Sequence, residues 1–236
     1  MQCLRELGRP SEKISKVEFR DDGRYELICP LGHVTTTILQ QQKYEILFEI
    51  GSHAILDGYY RESISSFTSS LERFYEFAIR VLLEVSSHKD ALYNKCWKSV
   101  ANQSERQLGA FIFLWAAQLL EMPALLPQSM VTLRNAVIHK GNIPTKEESI
   151  AYGNAVIVTI IPQTKILYDR FQTQVNKITM YHLNGAKKEK DAGKPISTAC
   201  TSTVLGNIMK EPSGGKVTLE HQLQELINLR AMIDRL

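Results

Sequence analysis

The chain of 236 residues contains only four cysteines, at positions 3, 29, 96 and 200, and none of them forms a CxxC pair. Widely separated cysteines argue against a scaffold held by disulfide bonds and are typical of a reducing compartment. The first residues, MQCLRELGRPSEK, are charged and lack the apolar core of a secretory signal peptide. We therefore expect a cytoplasmic protein.

The sequence also lacks an uninterrupted apolar run long enough to cross a membrane, which takes about 20 apolar residues. Its longest apolar stretch, GAFIFLWAAQLLEMPALL at 109–126, is interrupted by Gln118, Glu121 and Pro123. We predict a buried core helix there and no membrane association. A large excess of one charge is missing as well, and the formal charge of +3 permits a polyanionic partner without requiring one.

The first forty residues alternate apolar and polar positions, which is the pattern of half-buried strands. The Asp22-Gly23 pair within this stretch is a strong signal for the turn of a β-hairpin. The sequence therefore predicts strands near 16–20, 25–29 and 34–39. We assign residues 1–42 to this small N-terminal β element.

From Lys43 onward the apolar residues recur every three or four positions, as on the buried face of an amphipathic helix. A short helix after Lys43 is followed by further predicted helices, at about 57–85, 90–101, 105–121 and 128–137. Ser104 is suited to cap the helix that starts at residue 105. Thr145 and Glu148 form the capping box of a long later helix, which Pro162 should kink or split. We therefore expect a mainly α protein, whose helical part covers 43–175.

The pattern weakens after about residue 175. The stretch LNGAKKEKDAGKPIS at 183–197 is charged and has no periodic apolar residues, so we predict a linker or exposed loop. Its KKEK run could touch an RNA backbone, although such a mixed-charge run is usually only solvated. VTLEHQLQELINLRAMIDRL at 217–236 has a helical apolar stripe, which must dock on the bundle or on a partner chain. We assign 176–236 to this linker and C-terminal helical tail.

One stretch, TLRNAVIHKG at 132–141, combines residue types that can do chemistry at the end of a helix. Gly141 suits the left-handed position that closes a helix. Arg134 and Asn135 then lie in the last turn, and His139 lies at or just past the end. At about 100° per residue, Asn135 and His139 fall within about 40° of each other. Arg134 is offset from His139 by about 140°, so its long side chain or a loosened last turn must bring the two together.

These three side chains together are suited to cleaving RNA without a metal. A guanidinium offers planar, permanently charged donors for phosphate oxygens, and an imidazole can give or take a proton near neutral pH. The asparagine can orient the imidazole or donate to an oxyanion. In such a reaction the 2′-OH attacks the adjacent phosphorus, the leaving 5′-oxygen needs a proton, and the developing charge needs a cation. We predict no metal and no cofactor for this site.

At these residues the sequence resembles the HEPN superfamily (higher eukaryotes and prokaryotes nucleotide-binding domain). The family motif is an arginine, usually followed by a polar residue, with a histidine after four to six intervening residues. Arg134, Asn135 and His139 match it with four intervening residues. The proline-containing loop and the capped helix that follow also match, and SSLERFYEFAIRVLLEV at 69–85 resembles the acidic-aromatic helix that packs against the motif. The resemblance covers about 44–175.

The resemblance implies an antiparallel bundle of four or five helices that forms a homodimer with one composite active site. Many members are endoribonucleases that cleave single-stranded RNA or tRNA, as toxins or antiviral defence effectors, and an antitoxin or other regulatory protein is a further expected partner. Arg134 would then stabilise phosphate charge, His139 would act as general acid or base, and Asn135 would hold the geometry. Lys140 is an additional candidate contact to the substrate phosphate. Other members are catalytically inactive and bind a nucleotide or a partner protein, which is the alternative function.

Simpler structural explanations exist for these residues. The positive charges of Arg134 and His139 could serve solely to complement the helix dipole at the C-terminus of the helix. Lys140 could be an ordinary surface lysine. Glu72 and Glu76 lie one turn apart on the long helix and could form a paired-carboxylate site, but ion pairs on a solvated face explain them more simply. One of these acids could also orient Arg134 or His139 across the bundle.

A second candidate site lies in the N-terminal β element. Cys29-Pro-Leu-Gly-His33 looks like half of a zinc knuckle, to which Cys3 could add a third ligand. A structural zinc normally takes four ligands, and the other two cysteines are distant in sequence. The alternative is a tight turn at residues 30–32 with a buried cysteine. A zinc-dependent nucleic-acid binder built on Cys29 and His33 is therefore a second rival function.

Overall fold

The computed structural model describes residues 2–9, 17–85, 90–188, 191, 196–211 and 218–233. The fold is mainly α with a small three-stranded sheet, as the sequence predicts. The helices are α1 (Gln2–Leu7), α2 (Lys43–Leu56), α3 (Tyr60–Glu84), α4 (Asp90–Val100), α5 (Ser104–Leu119), α6 (Gln128–Lys140), α7 (Lys146–Gly185), α8 (Val204–Lys210) and α9 (Leu219–Ile233). The strands are β1 (Arg24–Ile28), β2 (Val34–Leu39) and β3 (Ile196–Ala199).

The chain divides into two compact units. We call Met1–Gln42 together with Lys177–Thr201 the sheet unit, and Lys43–Asn176 together with Ser202–Leu236 the bundle unit. Residues 176–236, which the sequence analysis treats as one tail, are therefore divided between the two units.

The sheet unit contains an antiparallel hairpin of β1 and β2, to which β3 adds in parallel with β2. The register places Arg24 opposite Ile38. The hairpin turn lies at residues 30–32, where the amide of Gly32 donates to the carbonyl of Cys29 at 2.9 Å. The tight turn considered for these residues is thus present, and it joins two of the three predicted strands.

The predicted hairpin around Asp22-Gly23 is wrong. Gly23 does adopt a left-handed conformation (φ 57°), and its amide donates to the carbonyl of Arg20 at 3.0 Å. However, residues 17–20, the described part of the strand predicted at 16–20, do not form a strand. The Asp22 carboxylate stabilises this turn without a partner strand, because it accepts hydrogen bonds from the guanidinium of Arg20 and from the backbone amide of Arg24.

The predicted linker or exposed loop at 183–197 is wrong at both of its ends and at Asp191, whereas residues 186–188 have no regular structure and Lys187 and Lys188 are exposed. α7 continues to Gly185, and β3 begins at Ile196. Asp191 is buried and forms an ion pair with Arg24, in which Oδ1 lies 2.6 Å from Nη2. The partner of Asp191 lies 167 residues earlier in the chain, so the local pattern contains no signal of this contact.

The core of the bundle unit is aromatic and lies around α3, which packs against α2, α5 and α6. The predicted apolar stripe of α3 is buried at Ile64, Phe67, Leu71, Phe74, Tyr75, Ala78 and Leu82. Rings from neighbouring helices meet this stripe. The ring centroid of Phe48 on α2 lies 4.5 Å from that of Phe67, and the centroid of Phe111 on α5 lies 4.8 Å from that of Tyr75. This packing fixes the spacing of the helices that carry the candidate site.

The predicted capping box at the start of α7 is confirmed. The amide of Thr145 donates to the Glu148 carboxylate at 2.8 Å, and the amide of Glu148 donates to the Thr145 hydroxyl at 3.1 Å. The predicted cap on α5 is wrong, because Ser104 is the first residue of that helix and its hydroxyl donates to the neighbouring Glu105 carboxylate instead.

The predicted split of the helix at Pro162 is wrong as well. α7 runs through Pro162 and leaves helical geometry only at Phe171 (φ −130°, ψ 34°). The proline removes one backbone donor, but buried side chains on both sides of it, such as Ile160 and Leu167, hold the helix in the core.

The C-terminal helix docks on the bundle, which is one of the two outcomes that its apolar stripe predicts. α9 packs against α2 and buries Leu219, Leu223 and Leu226. Arg230 near its end pairs with Asp57, with Nη1 2.6 Å from Oδ1.

Among the described residues, one helix is long and apolar enough to cross a membrane, and that helix is α7. In its apolar window, 56% of the residues are buried inside the protein. This burial is typical of the core helix of a soluble protein. The apolar stretch singled out in the sequence falls only partly on α5. Phe111, Trp115 and Leu119 are buried as predicted, but Phe113 is exposed and residues 120–126 lie beyond the end of the helix.

Two glycines of the bundle unit lie in opposite environments. A Cβ on Gly153 of α7 would collide with the side chain of Leu219 and lie 2.9 Å from Phe67, whereas a Cβ on Gly109 of α5 would meet nothing within 4 Å. We expect Gly153→Ala to lower the free energy of unfolding by about 1–3 kcal/mol through overpacking. Gly109→Ala should raise it by about 0.5–1 kcal/mol, because alanine favours the helix. Urea unfolding measures both, and an undiminished stability of Gly153→Ala would contradict this close packing.

Candidate active-site cleft in the bundle unit

α6 ends at the glycine that the sequence predicts. Gly141 is left-handed (φ 74°), and the amides of Gly141 and Asn142 both donate to the carbonyl of Ala136. These bonds span five and six residues, wider than the four-residue step of an α-helix, and close the helix in the usual way for a left-handed glycine. His139 and Lys140 are the final two residues of the helix.

Arg134 bridges α6 and α3. Its Nη1 donates to Oδ1 of Asn135 at 3.0 Å, and its Nη2 lies 3.4 Å from Oε1 of Glu72. The side chains of Arg134 and Glu72 are 18% and 28% exposed, so the pair is partly shielded from water. Glu72 therefore orients Arg134 across the bundle. This is one of the roles that the sequence suggested for Glu72 and Glu76.

The other acid considered on α3 has a different partner. Glu76 accepts from Arg73, one turn earlier on the same helix, with 2.6 Å between Oε2 and Nη1. Because Glu72 and Glu76 bind different arginines, they do not form the paired-carboxylate site that their spacing allows. The ion-pair interpretation accounts for both.

The remaining predicted site residues are placed less closely together. The side-chain oxygen of Asn135 accepts a hydrogen bond from the guanidinium of Arg134, so Asn135 orients the arginine. His139 and Lys140 are exposed on the last turn of α6, and neither lines the cleft that contains Arg134. Arg134 and Asn135 are thus in contact with each other, whereas the imidazole of His139, one turn later on the same helix, is exposed at the surface.

A cleft of about 190 Å³ lies beside Arg134, between α3, α5, α6 and α7. Its lining residues are Thr68, Leu71, Glu72, Tyr75, Ser104, Glu105, Leu108, Leu126, Val131, Arg134, Asn135 and Tyr152. Leu71, Tyr75 and Tyr152 are buried, whereas Glu105 is exposed, so the cleft has a mainly apolar inner wall and a charged rim.

Two buried tyrosines form part of the inner wall. The hydroxyl of Tyr152 is 2.8 Å from that of Thr68 on α3. Burial raises the pKa of Tyr75 and of Tyr152, so both phenols stay neutral at physiological pH. Neutral phenols can donate hydrogen bonds, but they add no negative charge that would repel a phosphate.

Glu105 at the rim responds to the charges of the motif. Its pKa is lowered chiefly by the hydrogen bond from its own amide, then by the Ser104 hydroxyl and by the positive charges of Arg134 and His139. The positive charges of Arg134 and His139 therefore favour the ionised form of the Glu105 carboxylate.

Three cleft residues, Thr68, Tyr152 and Glu105, were not predicted from the sequence. Thr68 and Tyr152 are 84 residues apart, and their hydroxyls meet only because α3 and α7 pack side by side. Glu105 follows a predicted helix start and looks like an ordinary first-turn acid. The acidic-aromatic character of α3 is the one signal that pointed toward this cleft.

Exposed apolar side chains lie on the segments that flank α6 in sequence. They are Leu120, Met122 and Leu125 before the helix and Ile143 after it. Leu126, the next residue of the same loop, lines the cleft. Leu120 is 91% exposed and left-handed (φ 58°), a conformation that costs an L-residue about 1–2 kcal/mol.

We expect Leu120→Gly to raise the free energy of unfolding of the isolated chain by about 1 kcal/mol, because glycine adopts this backbone conformation without strain and the leucine side chain contributes little packing. Urea unfolding at low protein concentration measures the change. A loss of stability would mean that Leu120 is covered under those conditions.

Comparisons with protein-family models, with curated proteins and with solved structures find no match to this chain.

Proposed function

We propose that this protein is a cytoplasmic, metal-independent endoribonuclease of the HEPN type, which acts on single-stranded or tRNA-like RNA as a homodimer. The observation that carries the proposal is the position of Arg134, held by Glu72 and Asn135 at the rim of a cleft, on the helix whose last turn carries His139. These are the two groups that cleavage of a phosphodiester by its own 2′-OH requires, a cation and a proton-transfer group.

The proposed reaction breaks one bond and forms another at the same phosphorus. The 2′-oxygen bonds to phosphorus, the bond from phosphorus to the 5′-oxygen breaks, and the proton lost by the 2′-OH is balanced by the proton gained by the leaving oxygen. His139 transfers one of these protons, and Arg134 offsets the charge that builds on the phosphoryl oxygens. The products carry a 2′,3′-cyclic phosphate and a 5′-hydroxyl.

Glu72 and Asn135 pre-position the guanidinium for this role. They contact separate Nη atoms of Arg134, which restricts the plane of its guanidinium before a substrate arrives. The Arg134–Glu72 pair is long at 3.4 Å and partly exposed, so a phosphate can compete for the same donors. Asn135 is thus a positioning residue, and Lys140 at the exposed helix end is available to an adjacent phosphate.

The size of the cleft favours a site that two protomers complete. Pockets for whole small-molecule ligands measure about 300–1,000 Å³, and this cleft of about 190 Å³ holds less than a nucleotide. A second copy would bring another Arg134 and His139 to the rim. The exposed residues Leu120, Met122 and Ile143 supply apolar surface that such a contact would bury.

The test is an RNA-cleavage assay in EDTA with mapping of the new RNA ends. We expect the wild-type protein to produce cyclic-phosphate ends from total RNA, and Arg134→Ala to abolish them. Arg106→Ala, which removes an exposed arginine of α5 away from the cleft lining, is the matched control and should cleave normally. Absence of cleavage together with Arg134-dependent binding of a nucleotide would overturn the ribonuclease in favour of an inactive HEPN-like binding module.

A further inference from the structure

Three side chains of the sheet unit converge at the hairpin turn. Cys3 lies on α1, Cys29 follows β1, and His33 precedes β2. The Sγ of Cys3 is 3.3 Å from the Sγ of Cys29 and 3.3 Å from Nδ1 of His33, and all three atoms lie within 4.8 Å of one another. Cys3 is buried, and the other two residues are partly buried.

The turn between β1 and β2 builds two corners of this triangle. Gly32 is left-handed (φ 79°), and its amide donates to the carbonyl of Cys29, whose own amide donates to the carbonyl of His33 at 3.1 Å. These two hydrogen bonds close the turn and bring Cys29 and His33, four residues apart in sequence, close to each other. α1 adds Cys3 as the third corner.

The histidine is oriented by a carboxylate on the opposite edge of its ring. Nε2 of His33 lies 3.0 Å from Oε2 of Glu6. An ionised carboxylate can only accept, so the proton of a neutral imidazole is on Nε2 and the lone pair of Nδ1 points at the two sulfurs. A carboxylate that fixes the tautomer of a ligating histidine is the usual outer partner of a zinc-bound imidazole.

We propose that Cys3, Cys29 and His33 bind one Zn²⁺ ion through two thiolates and Nδ1 of the imidazole, with Glu6 as a positioning residue. Zinc–sulfur bonds of about 2.3 Å in a tetrahedral arrangement place two sulfurs about 3.8 Å apart. The observed 3.3 Å needs an adjustment of about half an ångström. A disulfide of about 2.05 Å would need the sulfurs to move more than an ångström closer.

The ligand set also selects the ion and leaves one position open. Thiolate and imidazole ligands favour Zn²⁺ over Mg²⁺ or Ca²⁺, which prefer oxygen. Three protein ligands leave the fourth tetrahedral position to a solvent molecule. Binding releases the two thiol protons and ties α1 to the β1–β2 turn. None of these residues lines the cleft beside Arg134, so the proposal does not rest on the ribonuclease function.

The test is the metal content and Co²⁺ spectrum of the full chain, purified under reducing conditions. We expect one Zn²⁺ per chain by elemental analysis and, after exchange with Co²⁺, the intense thiolate charge-transfer and tetrahedral visible bands. Cys29→Ser and His33→Ala should lose both signals. The double variant Cys96→Ser/Cys200→Ser, which removes the two exposed cysteines, should keep them.

Glu6→Gln leaves the three proposed ligands in place and is therefore the mildest of these variants. We expect it to weaken zinc affinity about 10–100-fold. Competition with a chromophoric chelator measures the affinity. Wild-type protein without stoichiometric zinc, or zinc that persists in both Cys29→Ser and His33→Ala, would overturn the proposal. A chain mass lower by two hydrogens in the Cys96→Ser/Cys200→Ser variant, with no bound metal, would show a Cys3–Cys29 disulfide and would overturn it too.

Discussion

Replacing His139 with alanine should lower the rate of RNA cleavage in EDTA by about 10²–10⁴-fold, the usual cost of removing a general acid or base. His139 is exposed on the last turn of α6, so its removal leaves the buried core of the bundle unit intact. Single-turnover cleavage of a labelled RNA measures the rate. The affinity for RNA should change far less than the rate, because the imidazole acts on protons that move in the transition state.

His221→Ala is the control for this prediction. His221 is an exposed histidine on α9 and does not line the cleft, so its loss should leave the cleavage rate unchanged. Undiminished cleavage by His139→Ala would remove the imidazole from the mechanism. An equal loss in both variants would mean that the effect is not specific to the helix exit.

Replacing Asp191 with alanine should reduce hydrogen-exchange protection of the β1 and β2 amides by about 10²–10³-fold, because the buried guanidinium of Arg24 then keeps only the half-exposed Glu26 carboxylate as an ion-pair partner. The side chains of Arg24 and Asp191 are 5% and 4% exposed, and two of the arginine nitrogens donate to the carboxylate. Exchange of individual amides is the suitable readout, since both tryptophans, Trp97 and Trp115, lie in the bundle unit.

Arg20→Ala provides the comparison, since it removes an exposed ion pair with Asp22 at the neighbouring turn. Its effect on protection should be less than about fivefold, because exposed pairs contribute little. The double variant Arg24→Met/Asp191→Leu should recover much of the lost protection, as apolar residues of similar size often replace a buried ion pair without loss. Equal protection in wild type and Asp191→Ala would mean that this pair does not order the sheet unit.

Most helices could be predicted because their signals are local. The apolar stripe of α3 recurs at helical spacing, the capping box at Thr145 and Glu148 needs only four residues, and Gly141 closes α6 by its own conformational freedom. The strands were harder. Asp22-Gly23 forms a turn without a hairpin, since turn chemistry alone does not supply a partner strand.

The residues of the candidate site also fall into two groups, those with a local sequence signal and those that come together only by helix packing. Arg134, Asn135 and His139 were predicted from one stretch of sequence, since helical spacing relates them directly. Glu72 was only one of several possible partners, because its approach to Arg134 depends on the packing of α3 against α6. Thr68 and Tyr152 were missed since no local pattern records which helices become neighbours.

The sequence by itself determined the mainly α character, the end of α6 at Gly141 and the residue types that could carry chemistry there, because all of these depend on neighbours within a few positions. Only the tertiary structure decided that Asp191 pairs with Arg24, that Glu72 orients Arg134, and that Cys3 joins Cys29 and His33. Those contacts join segments from 26 to 167 residues apart. Such contacts form only when the helices and strands pack and bury their side chains. This packing is cooperative and depends on the whole core.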